Sequence, residues 1–224
     1  MTIPEIPPPF AEQQRSFTEM MINDSVSMLT RVLSAIKKWE KVAWAEFEEW
    51  KNEFESKDEE LVQRMADYGH EPIADEGITT IYTEYALYGS MAVNIAATVE
   101  KQLARVFSGH TILRDGNNQR EATKPHFADF MYTLEQVAGC NRQDVKHYGD
   151  HMFVRELANR FKHSGGDATQ EFVERYGTIA GVERDSEQIP YSKYDWECYI
   201  QRAKELLVDV ADRVSRSNHS GEDD

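Results

Sequence analysis

The twenty residues from His147 to Gly166, HYGDHMFVRELANRFKHSGG, decide how the rest of the chain is read. His147, His151, Arg155, Asn159 and His163 recur at every fourth position, and Arg160 and Lys162 stand beside the last of them. An α-helix turns about 100° per residue, so successive rungs of this ladder are displaced by about 40° and share a surface. Val154, Leu157, Ala158 and Phe161 make a separate apolar stripe at helical spacing. On that wheel His147 and His151 lie near the stripe, Arg155 and Asn159 fall between, and His163 lies roughly opposite. Gly165-Gly166 follow the last rung as a helix stop. The segment is expected to be one helix that packs on one side and shows an arginine, an amide and a histidine on the other.

Upstream, the same periodicity continues over long stretches. Residues 1–15 hold Pro4, Pro7, Pro8 and Pro9 and are expected to form an extended arm. From 16 to about 70 there are almost no helix breakers. Val26, Leu29, Leu33 and Ile36, then Val42, Ala43, Phe47, Trp50 and Phe54, keep three-and-four spacing. This predicts a long N-terminal helix, with a break near Ser56–Asp58 and a stop at Gly69 and Pro72. Periodic aromatics of this kind pack more often than they bind a ligand. A second helix is predicted over 75–107, its apolar face interleaved with the small residues Gly89, Ser90, Ala92, Ala96 and Ala97 that permit close helix approach. Residues 109–124 are turn-rich and read as a loop, in which Arg114 and Arg120 are solvated charges. Pro125 opens a third helix that ends at Gly139, and Asn141 is the expected cap of the ladder helix.

Downstream, a short helix is expected over Glu171–Tyr176 within an irregular excursion that holds a few strand residues. Ser192 is the expected cap of a final helix over 193–216, buried through Trp196, Tyr199, Ile200, Ala203, Leu206, Leu207 and Val210. Residues 217–224 form an acidic tail. No repeat and no alternation of strands with helices appears, so the fold class is all-α: an antiparallel bundle of about five helices over 71–216, preceded by the long N-terminal helix.

A net charge of −15, from 25 basic and 40 acidic residues, excludes a protein that coats nucleic acid through its general surface. Nucleic-acid contact needs a local basic patch. Arg142–His163 supplies one, with five basic against three acidic residues. The two cysteines, Cys140 and Cys198, suggest neither a disulfide framework nor a metal knuckle. MTIPEIPPPF lacks the basic start and apolar run of a secretory signal, and no stretch approaches the roughly 18–20 apolar residues of a membrane span. A cytoplasmic protein without membrane contact is expected.

Arg155–Gly166 resembles the HEPN superfamily (higher eukaryotes and prokaryotes nucleotide-binding domain). Its members are all-helical bundles, often dimeric, and many are metal-independent RNases of toxin–antitoxin and anti-phage systems. The matching residues are Arg155, Asn159, Arg160 and His163, with Lys162 directly before the histidine. The preceding helix with its small-residue face is similar to the helical pair that flanks this motif. The resemblance covers about residues 75–215. The family pattern sets the arginine four to six residues before the histidine, whereas seven residues separate Arg155 from His163 and two separate Arg160 from it.

The resemblance implies an endoribonuclease acting as a homodimer on RNA, with a cognate antitoxin or defence protein as partner and with neither cofactor nor metal. Arg155, Asn159, Arg160 and His163 are then the catalytic candidates, and Lys162 and His151 the substrate contacts. Such chemistry needs activation of a 2′-hydroxyl, protonation of the leaving oxygen and charge stabilisation at phosphorus. A histidine titrates in the useful range, and an arginine fork matches phosphate oxygens. One histidine does not serve as acid and base in a single step, and a twofold dimer supplies the second. Against this stands a structural role, in which Asn159, Lys162 and His163 satisfy a helix C-terminus. The bundle would then be a non-catalytic binding or assembly module that uses this helix as an interface. A metal site at His147 and His151, four apart, lacks the third ligand that zinc requires.

Overall fold

Periodicity of 3.6 residues without alternation leaves helices as the regular structure of this chain. The computed structural model describes residues 8–55, 72–107 and 127–217. Among these residues are six α-helices: α1 (Pro8–Glu55), α2 (Pro72–Val106), α3 (Phe127–Ala138), α4 (Tyr148–Ser164), α5 (Gln170–Ala180) and α6 (Trp196–Ser217). Two 3-10 turns stand at Arg142–Asp144 and Tyr191–Lys193. Among the described residues there is no strand, only an antiparallel bridge between Asp167 and Gln188. The all-α class and the long first helix are as the spacing predicts. The start of the proline-rich arm, the break at Ser56–Asp58, the stop at Gly69, the loop 109–124, the start at Pro125 and the tail beyond 217 lie outside the described residues.

Helix boundaries differ from expectation in four places, each for a local reason. The first helix begins at Pro8, inside the stretch read as an extended arm. Backbone N–H groups of a first helical turn have no acceptor within the helix, so prolines there lose nothing. Asn141 caps the 3-10 turn instead of α4, accepting from the Gln143 N–H at 2.9 Å. The ladder helix therefore starts at Tyr148, one residue after His147, whose φ of 56° is left-handed. The short fifth helix runs longer than read, to Ala180.

The last helix starts at Trp196, because Ser192 falls within a 3-10 turn and Asp195 takes the capping position. Its carboxylate accepts from the Cys198 N–H at 3.0 Å. An aspartate cap satisfies one orphan N–H and faces the positive end of the helix dipole. Asp195→Ala is expected to cost about 1 kcal/mol, read as a lower urea midpoint with an unchanged m-value. Ser192→Ala is expected to leave that midpoint in place.

The chain divides into two compact units. The first comprises the described parts of Met1–Thr30, Ala92–Asn159 and Asp195–Asp224; the second, those of Arg31–Met91 and Arg160–Tyr194. In the first unit α3 packs on α6, and Ile22 and Leu29 of α1 join Ile95, Leu103, Phe130, Leu157, Leu206 and Val210 in the core. Each such side chain contributes roughly 1.5–3 kcal/mol on burial. The surface pair Arg15–Asp212, at 2.9 Å, contributes well under about 1 kcal/mol. Apolar packing therefore seats this end of α1, helped by the buried Gln102 amide donating to Ser25 Oγ.

In the second unit Leu33 and Ile36 are buried, and α1 meets α2 through two polar contacts. Trp44 Nε1 donates to Glu84 at 2.8 Å, and the Tyr88 hydroxyl donates to Glu40. Trp44, Phe47 and Trp50 form a half-buried ring series, with centroids 5.7 and 6.4 Å apart. These aromatics pack, as their spacing predicts. Val42 is the exception and is exposed. α2 and α4 run antiparallel here, and Gly89 allows the approach: a Cβ at that position would stand 2.2 Å from Phe161 Cδ2.

Candidate functional site

The ladder helix passes from the core to solvent as its wheel predicts. In the first unit His151 is 3% exposed and lies 4.5 Å, centroid to centroid, from the Phe127 ring. Both of its ring nitrogens are buried without a hydrogen-bond partner. Burial pushes its pKa down to about 3, and the Arg155 charge adds to the shift. A charged imidazole there would be desolvated and unpaired, so the ring is neutral at ordinary pH. This corrects its reading as a substrate contact, since a side chain in the core does not meet RNA.

Arg155 is tied down within the same unit. Its Nε lies 3.4 Å from Glu100 Oε1, and its guanidinium sits 5.2 Å from the centroid of Phe127. An ion pair and a cation–π contact together hold it at about 1–2 kcal/mol. Asn159, one turn on, is half-buried.

His147 anchors a network that the ladder reading did not contain. Its Nδ1 lies 2.9 Å from Asp150 Oδ2, and its Nε2 lies 3.0 Å from Glu205 Oε2. The other oxygen of Asp150 accepts from Arg202 at 2.6 Å. The Gln201 amide first, and then the His147 ring, hold Glu205 below the usual carboxylate range. Tyr199 titrates higher than an ordinary tyrosine because it is buried and faces Asp150. His147, Asp150, His151, Tyr199 and Arg202, with Ile95, Val154 and Ala203, line a small cleft where α2, α4 and α6 meet. The left-handed backbone at His147 aims the ring into that network instead of continuing the helix. Asp150 stands one turn after His147 and was open to a sequence reading; Arg202 and Glu205 were not, because only the packing of α6 brings them there.

The second unit holds the end of α4. Arg160 is half-buried, and its Nε is enclosed without a hydrogen-bond partner. Lys162 and His163 are exposed. Beyond them Gly165 and Gly166 have φ of 62° and 91°. The Gly166 N–H donates to the Arg160 carbonyl at 3.0 Å, which closes the helix end. The following residues pair with Ser186–Ile189: Ala168 N–H donates to the Glu187 carbonyl at 2.8 Å, and Ile189 N–H donates to the Gly166 carbonyl at 3.1 Å. Tyr85 of α2 donates its hydroxyl to the Gly165 carbonyl at 2.9 Å. Tyr191 packs against both Tyr85 and Phe161, with centroids at 5.2 and 5.7 Å. Burial raises the Tyr191 pKa strongly, and the neighbouring Arg160 charge only partly offsets that.

Of the six candidate residues, then, Arg160, Lys162 and His163 occupy the terminal turns of α4 in one unit. Arg155 and Asn159 belong to the other, and His151 is in its core. Among the described residues no group of three or more His, Cys, Asp or Glu side chains is placed to hold a metal ion. No helix in the described residues is long and apolar enough to cross a membrane. Comparison with protein-family models, with curated proteins and with solved structures returns no match for the chain. The all-helical class is what the structure establishes; the activity is argued from the residues of the site.

Proposed function

We propose that this chain is a HEPN-type endoribonuclease, cytoplasmic and homodimeric, that cleaves RNA without a metal ion. The observation that carries this reading is the exposed His163 in the last turn of α4, with Lys162 beside it and Arg160 one turn back. A helix C-terminus carries partial negative charge and on its own repels phosphate. Two cations in that turn offset the repulsion and give the phosphate oxygens an arginine fork and a point charge. With Arg155 engaged by Glu100 and Phe127, Arg160 is the arginine we assign to the phosphate.

In the proposed reaction His163 takes the proton from a ribose 2′-hydroxyl. The 2′-oxygen then bonds to phosphorus, and the bond from phosphorus to the 5′-oxygen breaks. The partner subunit's His163 gives its proton to that oxygen, leaving a 2′,3′-cyclic phosphate and a 5′-hydroxyl. The setting that fits such an enzyme is a toxin–antitoxin or anti-phage system with a cognate neutralising protein.

The deciding measurement is cleavage of a pool of structured and single-stranded RNAs in EDTA. Wild type is expected to leave cyclic-phosphate or phosphate ends, and His163→Ala to lose about 10²–10⁴-fold in rate while unfolding at the same urea concentration. Equal cleavage by the two proteins would remove His163 from the chemistry.

A second reading, a non-catalytic assembly module, is favoured by apolar side chains left exposed on α1: Phe17, Met20 and Met28. Folded protein that cleaves none of the RNAs, yet associates in a way abolished by Phe17→Ser with Met20→Ser, would establish it.

A further inference from the structure

His163 stands on a turn that has little stiffness of its own. Two glycines with left-handed backbones follow it, and glycine resists neither rotation nor fraying. The rigidity comes from α2. The Tyr85 hydroxyl reaches the Gly165 carbonyl across 80 residues of sequence, at 2.9 Å. The same oxygen meets the Gln188 side chain, whose backbone bridges to Asp167 just past the turn. The Tyr85 ring fills the hollow over Gly166, so that a Cβ built there would fall 1.3 Å from its oxygen. Phe161 and Tyr191 hold the ring, with centroids 6.0 and 5.2 Å away. Ring, hydroxyl and carbonyl thus form a staple on the two residues that close the helix behind His163.

We propose that Tyr85 is the positioning residue of this site: its bond to the Gly165 carbonyl fixes the turn behind His163 and sets the imidazole relative to Arg160. The inference rests on the reading of His163 as the proton-transfer group. The phenol is suited to the task because burial first, and then Asp167, raise its pKa to about 12, which keeps the hydroxyl a donor throughout the working range of a histidine. Tyr85 touches no reacting atom and acts through the backbone. A modest displacement of a proton-transfer group costs about ten- to a hundredfold in rate, so the loss should fall on kcat and spare KM.

The test uses the full chain with Tyr85→Phe, which keeps the ring in the Gly166 hollow and removes only the hydroxyl. Three quantities are read: kcat and KM for RNA cleavage, amide exchange at Ser164–Asp167, and the imidazole NMR signals of His163. The variant is expected to lose about tenfold or more in kcat with KM changed by less than about twofold. Exchange at Gly166 should rise about tenfold while α6 is unchanged, and the His163 signals should shift or broaden. A wild-type kcat in the variant overturns the proposal, whatever the exchange shows. Should folded wild type cleave no RNA, the nuclease reading itself falls. The exchange and the His163 signals then decide the staple alone: changed signals support it, and unchanged ones overturn it.

Discussion

Gly166→Ala is expected to destabilise the protein by about 2–5 kcal/mol, whereas Gly165→Ala, one residue earlier, costs about 1–2 kcal/mol. Both glycines have positive φ, 62° at Gly165 and 91° at Gly166. An alanine pays roughly 1–2 kcal/mol for left-handed backbone at either position. Their surroundings separate them. A Cβ at Gly165 meets nothing within 4 Å, while one at Gly166 falls 1.3 Å from the Tyr85 oxygen and 3.1 Å from Tyr191 Cε2. Tyr85 cannot swing aside cheaply, because its ring lies between Phe161 and Tyr191 and its hydroxyl is bonded to Gly165. Relief means breaking that bond or shifting packed aromatics, and overpacking of this kind costs about 1–3 kcal/mol. A loss of this size is a large share of the stability of an ordinary domain, about 5–15 kcal/mol. Urea unfolding of both variants measures the difference, and midpoints that coincide would sink the argument. A double-mutant cycle sharpens it: in a Tyr85→Ala background most of the extra penalty at Gly166 should vanish, leaving the backbone cost and the tight contact with Tyr191.

The helix class was legible because every helix here carries its burial pattern within one local stretch. On α4 the wheel set His151 near the stripe of Val154 and Leu157 and His163 roughly opposite, and the structure buries the first three and exposes His163. Local chemistry was less legible at the ends. A wheel drawn through His147 assumes helical backbone there, but the left-handed turn and the Asn141 cap place the start of α4 one residue later. Ser192 is the cap that composition suggests, but it falls within a 3-10 turn, and Asp195 takes the capping position.

What the sequence hid were contacts between segments far apart along the chain. Glu205 and Arg202 reach His147 and Asp150 from α6, and Tyr85 reaches Gly165 from α2; no periodicity encodes such pairings. The same holds for Arg155. Its place in the four-residue ladder made it a candidate for phosphate, yet Glu100 and Phe127 claim it. Charge pattern identifies a cation on a helix face, and packing decides whether that cation is free to bind.

The buried imidazole of His151 should make the protein lose stability in mild acid, and His151→Leu should abolish that loss. In the unfolded chain a histidine takes up its proton near pH 6.5, while in the fold burial holds His151 down to about 3. Between those limits the unfolded state binds a proton that the native state refuses, so stability falls as pH falls. His151 thus contributes fully above about pH 6.5, and its contribution shrinks by roughly 1.4 kcal/mol per pH unit below that. Glu135, lowered by its hydrogen bonds from Arg142, and Glu205 act in the same direction. As carboxylates they matter only below about pH 4.5, beneath the pH 5–6.5 window in which His151 acts. Urea unfolding at pH 7 and pH 5 should show wild type losing roughly 2 kcal/mol and His151→Leu much less. At pH 7 the leucine variant should also be more stable than wild type by about 1–2 kcal/mol, since two unpartnered ring nitrogens leave the core and a side chain of similar size replaces them beside Ile95 and Val154. A variant that is less stable at pH 7 would mean that those nitrogens have partners in solution. An unaltered acid slope would mean that the ring takes up its proton within the fold.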